Sequence, residues 1–190
     1  ALVLTLRLAR ALDEAESNAS AAALARIGTA LGKYWICKRI PGHVFEALEC
    51  HGGPGYIEDS IMPRLYREAP VNSIWEGSGN VICLDVQRAM IREEGAIPSF
   101  LAELDDARGA NPNLDASIEA CRKEIENPRD FQLRARGITE RMAATLQGML
   151  LVRHAPIAVS DAFCASRLGD RWTGTYGVLP PDVDFDSIIE

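Results

Sequence analysis

Strand patterning is almost absent from this sequence. No stretch alternates apolar and polar residues long enough to form a half-buried strand, which argues against a fold built on a sheet. Nor does any apolar run approach the roughly 20 residues a membrane helix requires. There is no C-x-x-C pair. The five cysteines, Cys37, Cys50, Cys83, Cys121 and Cys164, are scattered and odd in number, which predicts free thiols in a reducing compartment, most of them acting as small buried apolar residues. His43, His51 and His154 lie far apart without ligand spacing, so no metal site is expected. Positive charge is in deficit, with 20 Lys and Arg against 27 Asp and Glu and a net charge of −7. Such a chain has no bulk attraction for nucleic acid or an anionic membrane, and contact with either needs a local basic patch. The opening ALVLTLRLARALDEA is apolar, but Arg7 and Arg10 interrupt it and no small-residue cleavage pattern follows, so it does not read as a signal peptide. It opens without Met, directly in a helical pattern, and is expected to be a piece of a longer protein. No fixed-period repeat or low-complexity segment is present.

What the 190 residues do contain is helical periodicity. Leu2, Leu6 and Ala9 share one face of a helix reaching about Ala15. Asn18 or Ser20 can cap a second helix running to Pro41. A third is expected from Pro41 to His51, with proline at its start and Gly52–Gly53 at its end. HGGPGYIED reads as a loop. A short helix over Met62–Glu68 follows, then a long one over Gly79–Glu94. Beyond Gly95 and Pro98, further helices are separated by Asn111–Pro112–Asn113 and Asn127–Pro128, and the Gly- and Pro-rich tail has no clear period. The expected fold is all-α, an antiparallel helical bundle over residues 1–94 with an additional C-terminal helical extension over 95–190.

One stretch carries chemistry, Ala47 to Ala89. It offers a Gly-rich turn, then Glu76 between Trp75 and Gly77, then Ser78 and Asn80 at the head of a helix. A carboxylate beside Trp75, Ile74 and Val71 is expected to be partly desolvated, which raises its pKa towards the range of a general base. Gly77 leaves the backbone open to a ligand, and the free N–H groups of the following helix start can donate to an anion or a carbonyl oxygen. The residues alone also allow a solvated acid at a helix start.

The same stretch resembles the acyl-CoA dehydrogenase family. The family shows GGxGY, a basic–acidic pair, a short spacer, IYEGT and a helix. Here these are Gly52-Gly53-Pro54-Gly55-Tyr56, Arg67-Glu68-Ala69 and Ile74-Trp75-Glu76-Gly77-Ser78, in the same order and spacing. Glu49 and Asn80 stand where the family has Gln, and Trp75 where it has Tyr. These departures, together with the length of helical chain after Glu76, resemble the AidB-like branch, named for the adaptive response to alkylation damage.

The resemblance implies that this is the C-terminal part of a FAD-dependent enzyme acting on an acyl-CoA. Glu76 is implied as the catalytic base that removes the α-proton while the β-hydride moves to flavin N5, with its own backbone N–H polarising the thioester carbonyl. Gly77, Arg88 and Trp75 are implied on the substrate side, Trp75 narrowing the pocket. Ser78 and Asn80 are implied as flavin contacts. Glu49, His51, Gly52 and Gly53 would reach the ADP half of FAD, commonly in a neighbouring subunit, with an acid at 49 less favourable near a pyrophosphate. The resemblance further implies a cytoplasmic homo-oligomer, a homotetramer, without membrane contact. FAD would not be retained by residues 1–190 alone, because the family's flavin site also needs an N-terminal helical part and a β-domain. The isolated chain is therefore expected to be colourless and inert, and to self-associate through its uncovered face. The alternative within the same branch is a flavoprotein acting mainly in duplex DNA binding and protection. Arg167 and Arg171 are its candidate phosphate contacts, within an extension that is Arg-rich but interleaved with Glu and Asp.

Overall fold

The structure, a computed structural model, describes residues 1–127, 129–169 and 174–189, and every regular element among them is helical. Helix α1 (Leu2–Glu14) buries Leu4, Leu8 and Ala11, spaced to share one face. Helix α2 (Ala19–Cys50) begins at Asn18, which has an extended backbone and whose side-chain oxygen accepts from the N–H groups of Ser20 and Ala21. The break expected at Pro41 does not occur, and α2 runs through it as one helix. The ring costs the bond to the Cys37 carbonyl, but the half beyond it is held from outside. The Phe45 ring meets Tyr66 at 5.9 Å, and His43 meets Tyr176 at 6.0 Å.

A second difference follows. Gly53–Tyr56, expected as loop, forms a single helical turn, α3, with Pro54 in its first turn, where a missing N–H is not needed. Gly52, at φ +62°, reverses the chain before it. Gly55 is buried so closely that a Cβ there would stand 2.2 Å from the Leu48 carbonyl oxygen. Gly55→Ala is therefore expected to force α2 and α3 apart and to lower stability by about 2 kcal/mol. Gly53→Ala, facing open space, should leave the denaturant midpoint unchanged. Equal midpoints for the two variants would contradict this packing.

Helix α4 (Met62–Glu68) leads into a 3₁₀ turn (Ala69–Ser73) and then α5 (Gly79–Arg92). Helices α6 (Ala96–Asp105), α7 (Pro112–Glu126, capped by the Asn111 side chain) and α8 (Phe131–His154) follow. Pro156 separates α8 from α9 (Ile157–Phe163), which continues as a π-helical turn over Cys164–Leu168, and α10 (Asp186–Ile189) lies near the end. The short connections favour antiparallel packing of successive helices. The core is continuous. Leu8, Ile27, Leu31 and Val86 share one apolar cluster with Phe100, Leu104, Ile118, Leu146 and Met149, so residues before and after position 94 pack into the same interior. Inside it, the Trp35 indole N–H donates to Gln147 Oε1 at 2.6 Å, tying α2 to α8.

All five cysteines are free, and Cys83, Cys121 and Cys164 are buried. Burial pushes the Cys121 thiol up to about 11 and the Cys164 thiol up to about 12, and Cys83 is raised for the same reason. Reaction with a thiol reagent at pH 8 is expected to label Cys50 fast and half-buried Cys37 more slowly. The other three should react only on unfolding, because at that pH they are protonated as well as covered. Fast modification of all five in the native protein would contradict the core assignment. Among the described residues no helix is long and apolar enough to cross a membrane.

Candidate active site

The joint between the 3₁₀ turn and α5 is where the backbone departs from ordinary geometry. Glu76 has φ +54° and Gly77 has φ +110°. Two consecutive left-handed residues turn the chain sharply before Ser78 starts α5. For a glutamate this conformation costs about 1–2 kcal/mol, so the surrounding contacts must hold it. Gly77 could not be replaced without a clash, since a Cβ there would meet Ile82 Cδ1 at 2.8 Å.

The contact that holds the turn is Lys33. Its Nζ donates to the carbonyl of Asn72 at 2.6 Å and to that of Trp75 at 3.0 Å. These are carbonyls at and just beyond the end of the 3₁₀ turn, which helical geometry leaves without partners, and a cation there also suits the local dipole. Glu76 lies at the edge of a groove of about 600 Å³. The floor is one face of α2, where Ala22, Ala25, Thr29 and Ala30 are small enough to leave room, and Leu12 and Ile82 add apolar walls. Arg26, Lys33 and Asp85 supply charge along it. Arg26 clamps Asp85 through two bonds of 3.0 Å, joining α2 to α5, and Arg88 adds a third at 3.0 Å.

Several expectations change here. Glu76 is exposed, and Trp75 (58% exposed), Ile74 and Val71 are exposed with it. They do not dehydrate the carboxylate, because no element of the described chain packs over this side of the turn. Trp75 is not among the residues that line the groove. Arg88 does not share the groove with Glu76. It borders a separate depression with Leu84, Gln87 and Gln132. Arg26 is the arginine that lines the groove with Glu76. Arg26, Lys33 and Asp85 were not singled out from the sequence. The available signal was a pair of cations seven residues apart on a helix face otherwise made of small residues.

Ser78 and Asn80 flank the buried Gly79 at the start of α5, and both are exposed. The Ser78 side chain makes no capping bond, but the side-chain oxygen of Asn80 accepts from Arg136 Nε of α8 at 2.6 Å. Beneath them, the Tyr34 hydroxyl is pushed up to about 12, chiefly by burial, and stays a neutral phenol. Glu49, His51, Gly52 and Gly53 are all exposed at the far end of α2. Glu49 lies about 24 Å along the helix axis from Lys33, at the standard rise per residue. The chain does not bring this segment to the Glu76 groove.

The arginines of the extension are largely engaged. Arg108 pairs with Asp105 and Glu119, Arg122 with Asp105, Arg141 with Glu124, and Arg153 with Asp106. Arg167 is half-buried, its guanidinium 5.7 Å from the Tyr176 ring centre, and its pKa is lowered, first by burial and then by Arg39. A dehydrated group stacked on an aromatic ring is not placed as a surface phosphate contact. Arg171 lies outside the described residues. Among the described residues no group of His, Cys, Asp and Glu could hold a metal ion.

Comparison with known proteins agrees with this layout. Residues 1–91 match the acyl-CoA dehydrogenase C-terminal domain family. The chain is 38% identical to the putative acyl-CoA dehydrogenase AidB of Escherichia coli over 88% of its length, and 32% identical to acyl-CoA dehydrogenase family member 11 of Caenorhabditis elegans over 66%. It spans 30% and 21% of those proteins, respectively. The crystal structure of Caenorhabditis elegans ACDH-11 in complex with C11-CoA superposes with a TM-score of 0.78 at 26% identity, covering 89% of this chain and 34% of that one. The left-handed Glu-Gly turn ahead of α5, the Gly-rich turn after α2 and these matches lead to one assignment: the chain belongs to the acyl-CoA dehydrogenase family, in its C-terminal helical part and its AidB-like branch.

Proposed function

We propose that this chain is the part of a FAD-dependent acyl-CoA dehydrogenase that supplies the catalytic base, Glu76, for α,β-dehydrogenation of an acyl-CoA thioester. One observation carries the reading. Glu76 and Gly77 are held in consecutive left-handed conformations at the edge of a groove, directly ahead of a helix start. Backbone strain maintained by a side-chain clamp is the pattern of a residue kept in place for its chemistry.

The residues fit the role. Removing an α-proton from a thioester requires a carboxylate in reach and a hydrogen-bond donor on the thioester oxygen, where negative charge develops. Glu76 offers both, its side chain as base and its backbone N–H as donor. Ser78, and Asn80 through its side-chain amide, are the residues of this chain that would hold the flavin ring end, while Glu49, His51, Gly52 and Gly53 would serve the ADP half of another subunit's cofactor. The exposure of that segment, and its distance from Lys33 along α2, support this division. FAD, when bound, supplies the hydride acceptor. Residues 1–94 are read as the family's bundle and 95–190 as the branch's extension, which Arg136 joins to the site through Asn80.

Turnover of the full-length protein with a panel of acyl-CoA thioesters, followed by flavin reduction, tests the reading. Reduction by at least one acyl-CoA is expected, whereas the isolated chain should be colourless. A full-length protein that binds flavin but is reduced by no acyl-CoA would overturn it.

A further inference from the structure

We infer that Lys33 is a positioning residue for carbonyl polarisation: by holding the Trp75 carbonyl, it aims and strengthens the Glu76 N–H as the donor to the substrate thioester oxygen. The inference rests on the reading of Glu76 as the base, and it concerns a residue for which that reading assigns no role.

In a trans peptide the C=O and the following N–H point in opposite directions. The Trp75 C=O and the Glu76 N–H belong to the same plane. Lys33 Nζ, 3.0 Å from the Trp75 oxygen, therefore fixes the side on which the Glu76 N–H emerges, opposite to the ammonium. A second bond from the same ammonium to the Asn72 carbonyl at 2.6 Å triangulates Lys33 against the end of the 3₁₀ turn. The plane then cannot rotate without breaking one of the two. That restraint lies immediately before the Glu76 φ of +54°, the angle a free glutamate would relax. Among the described residues the Glu76 N–H meets no acceptor, so the donor is left available for a ligand.

Lys33 also acts electronically. An ammonium bound to the carbonyl end of an amide withdraws charge through the plane and makes its N–H a better donor. Arg26 shares the groove but is committed to Asp85 and cannot substitute. Lys33 itself does not touch the reacting atoms in this scheme. Its effect reaches them through one peptide group.

The test uses the full-length flavoprotein with Lys33→Met and Lys33→Gln. The direct readout is the carbonyl stretching frequency of a bound enoyl-CoA carrying ¹³C at the thioester carbon, which reports polarisation of that oxygen and not the stability of the fold. In the native protein the frequency should be lowered relative to free thioester. It should return most of the way towards the free value in Lys33→Met and part of the way in Lys33→Gln, which keeps a neutral donor. kcat should fall about 10- to 100-fold in Lys33→Met, a fraction of what losing an oxyanion donor causes, with KM changed less than about threefold because the CoA moiety is bound elsewhere. Native frequency and native kcat in Lys33→Met would overturn the inference. Should that variant fail to fold, the same two readings in Lys33→Gln decide it, native values again overturning it. Failure of the parent reading shows differently: Glu76→Gln would then keep full turnover, whatever the carbonyl frequency does in the Lys33 variants.

Discussion

Glu76→Gln in the full-length protein is expected to lower kcat at least about 10³-fold while leaving flavin content, fold and acyl-CoA binding intact. The magnitude follows from the role. A positioned general base contributes roughly 10²- to 10⁴-fold, and an amide has no basicity to replace it. The substitution preserves size and can keep the left-handed backbone, so the effect isolates the charge and the proton site. Glu76→Asp should fall between the two, because the shorter side chain retains basicity but withdraws it from the reacting carbon. Steady-state assays with the best acyl-CoA substrate provide the check. In the described chain the carboxylate is open to water, so dehydration of the site must come from substrate and cofactor covering the turn.

The second large effect concerns the attachment of the extension to the bundle. Arg7 of α1 meets Glu103 of α6 through two bonds, Nε to Oε1 at 2.5 Å and Nη2 to Oε2 at 2.7 Å, with side chains only 18% and 13% exposed. The bond to Glu103 raises the Arg7 pKa against the opposing effect of burial. Removing one partner of a covered pair leaves the other charge without compensation, which is costly even where the pair itself contributes little net stability. Glu103→Ala is expected to destabilise the chain by about 2 kcal/mol, below the value for a fully buried pair because water can still reach part of the guanidinium. Glu14→Ala, removing the exposed partner of Arg10, should leave the midpoint where it was. Urea titration distinguishes them, and equal shifts would show that the α1–α6 contact does not hold the two parts together.

The residues that announced themselves in the sequence did so through local rules. Asn18 and Asn111 cap helices with their side chains, as their positions ahead of apolar runs suggested. Met62–Glu68 forms the short helix that Pro63 near its start favours. The all-α class followed from periodicity alone. The family followed from the order of the Gly52–Tyr56, Arg67–Ala69 and Ile74–Ser78 segments, and no single segment would have sufficed. What stayed hidden depends on contacts between distant residues. Pro41 is tolerated inside α2 because Tyr66 and Tyr176 pack on the helix beyond it, and helix-breaking propensity says nothing of such neighbours. Lys33 lies 42 positions from Trp75, and Arg26 lies 59 from Asp85, so no motif links them. The expected dehydration of Glu76 failed for a related reason. Apolar neighbours in sequence shield a side chain only if the fold turns them towards it, and Trp75 and Ile74 turn outward.

Exchange of the substrate α-proton with solvent measures the base most directly. Full-length protein would be incubated in heavy water with an acyl-CoA whose β-carbon carries no hydrogen, so that hydride loss cannot follow, and the recovered thioester weighed by mass spectrometry. Deuterium should enter the α-position in the presence of the native protein and remain at the uncatalysed level with Glu76→Gln. Equal incorporation by the two proteins would place the proton-abstracting group elsewhere and contradict the assignment of Glu76.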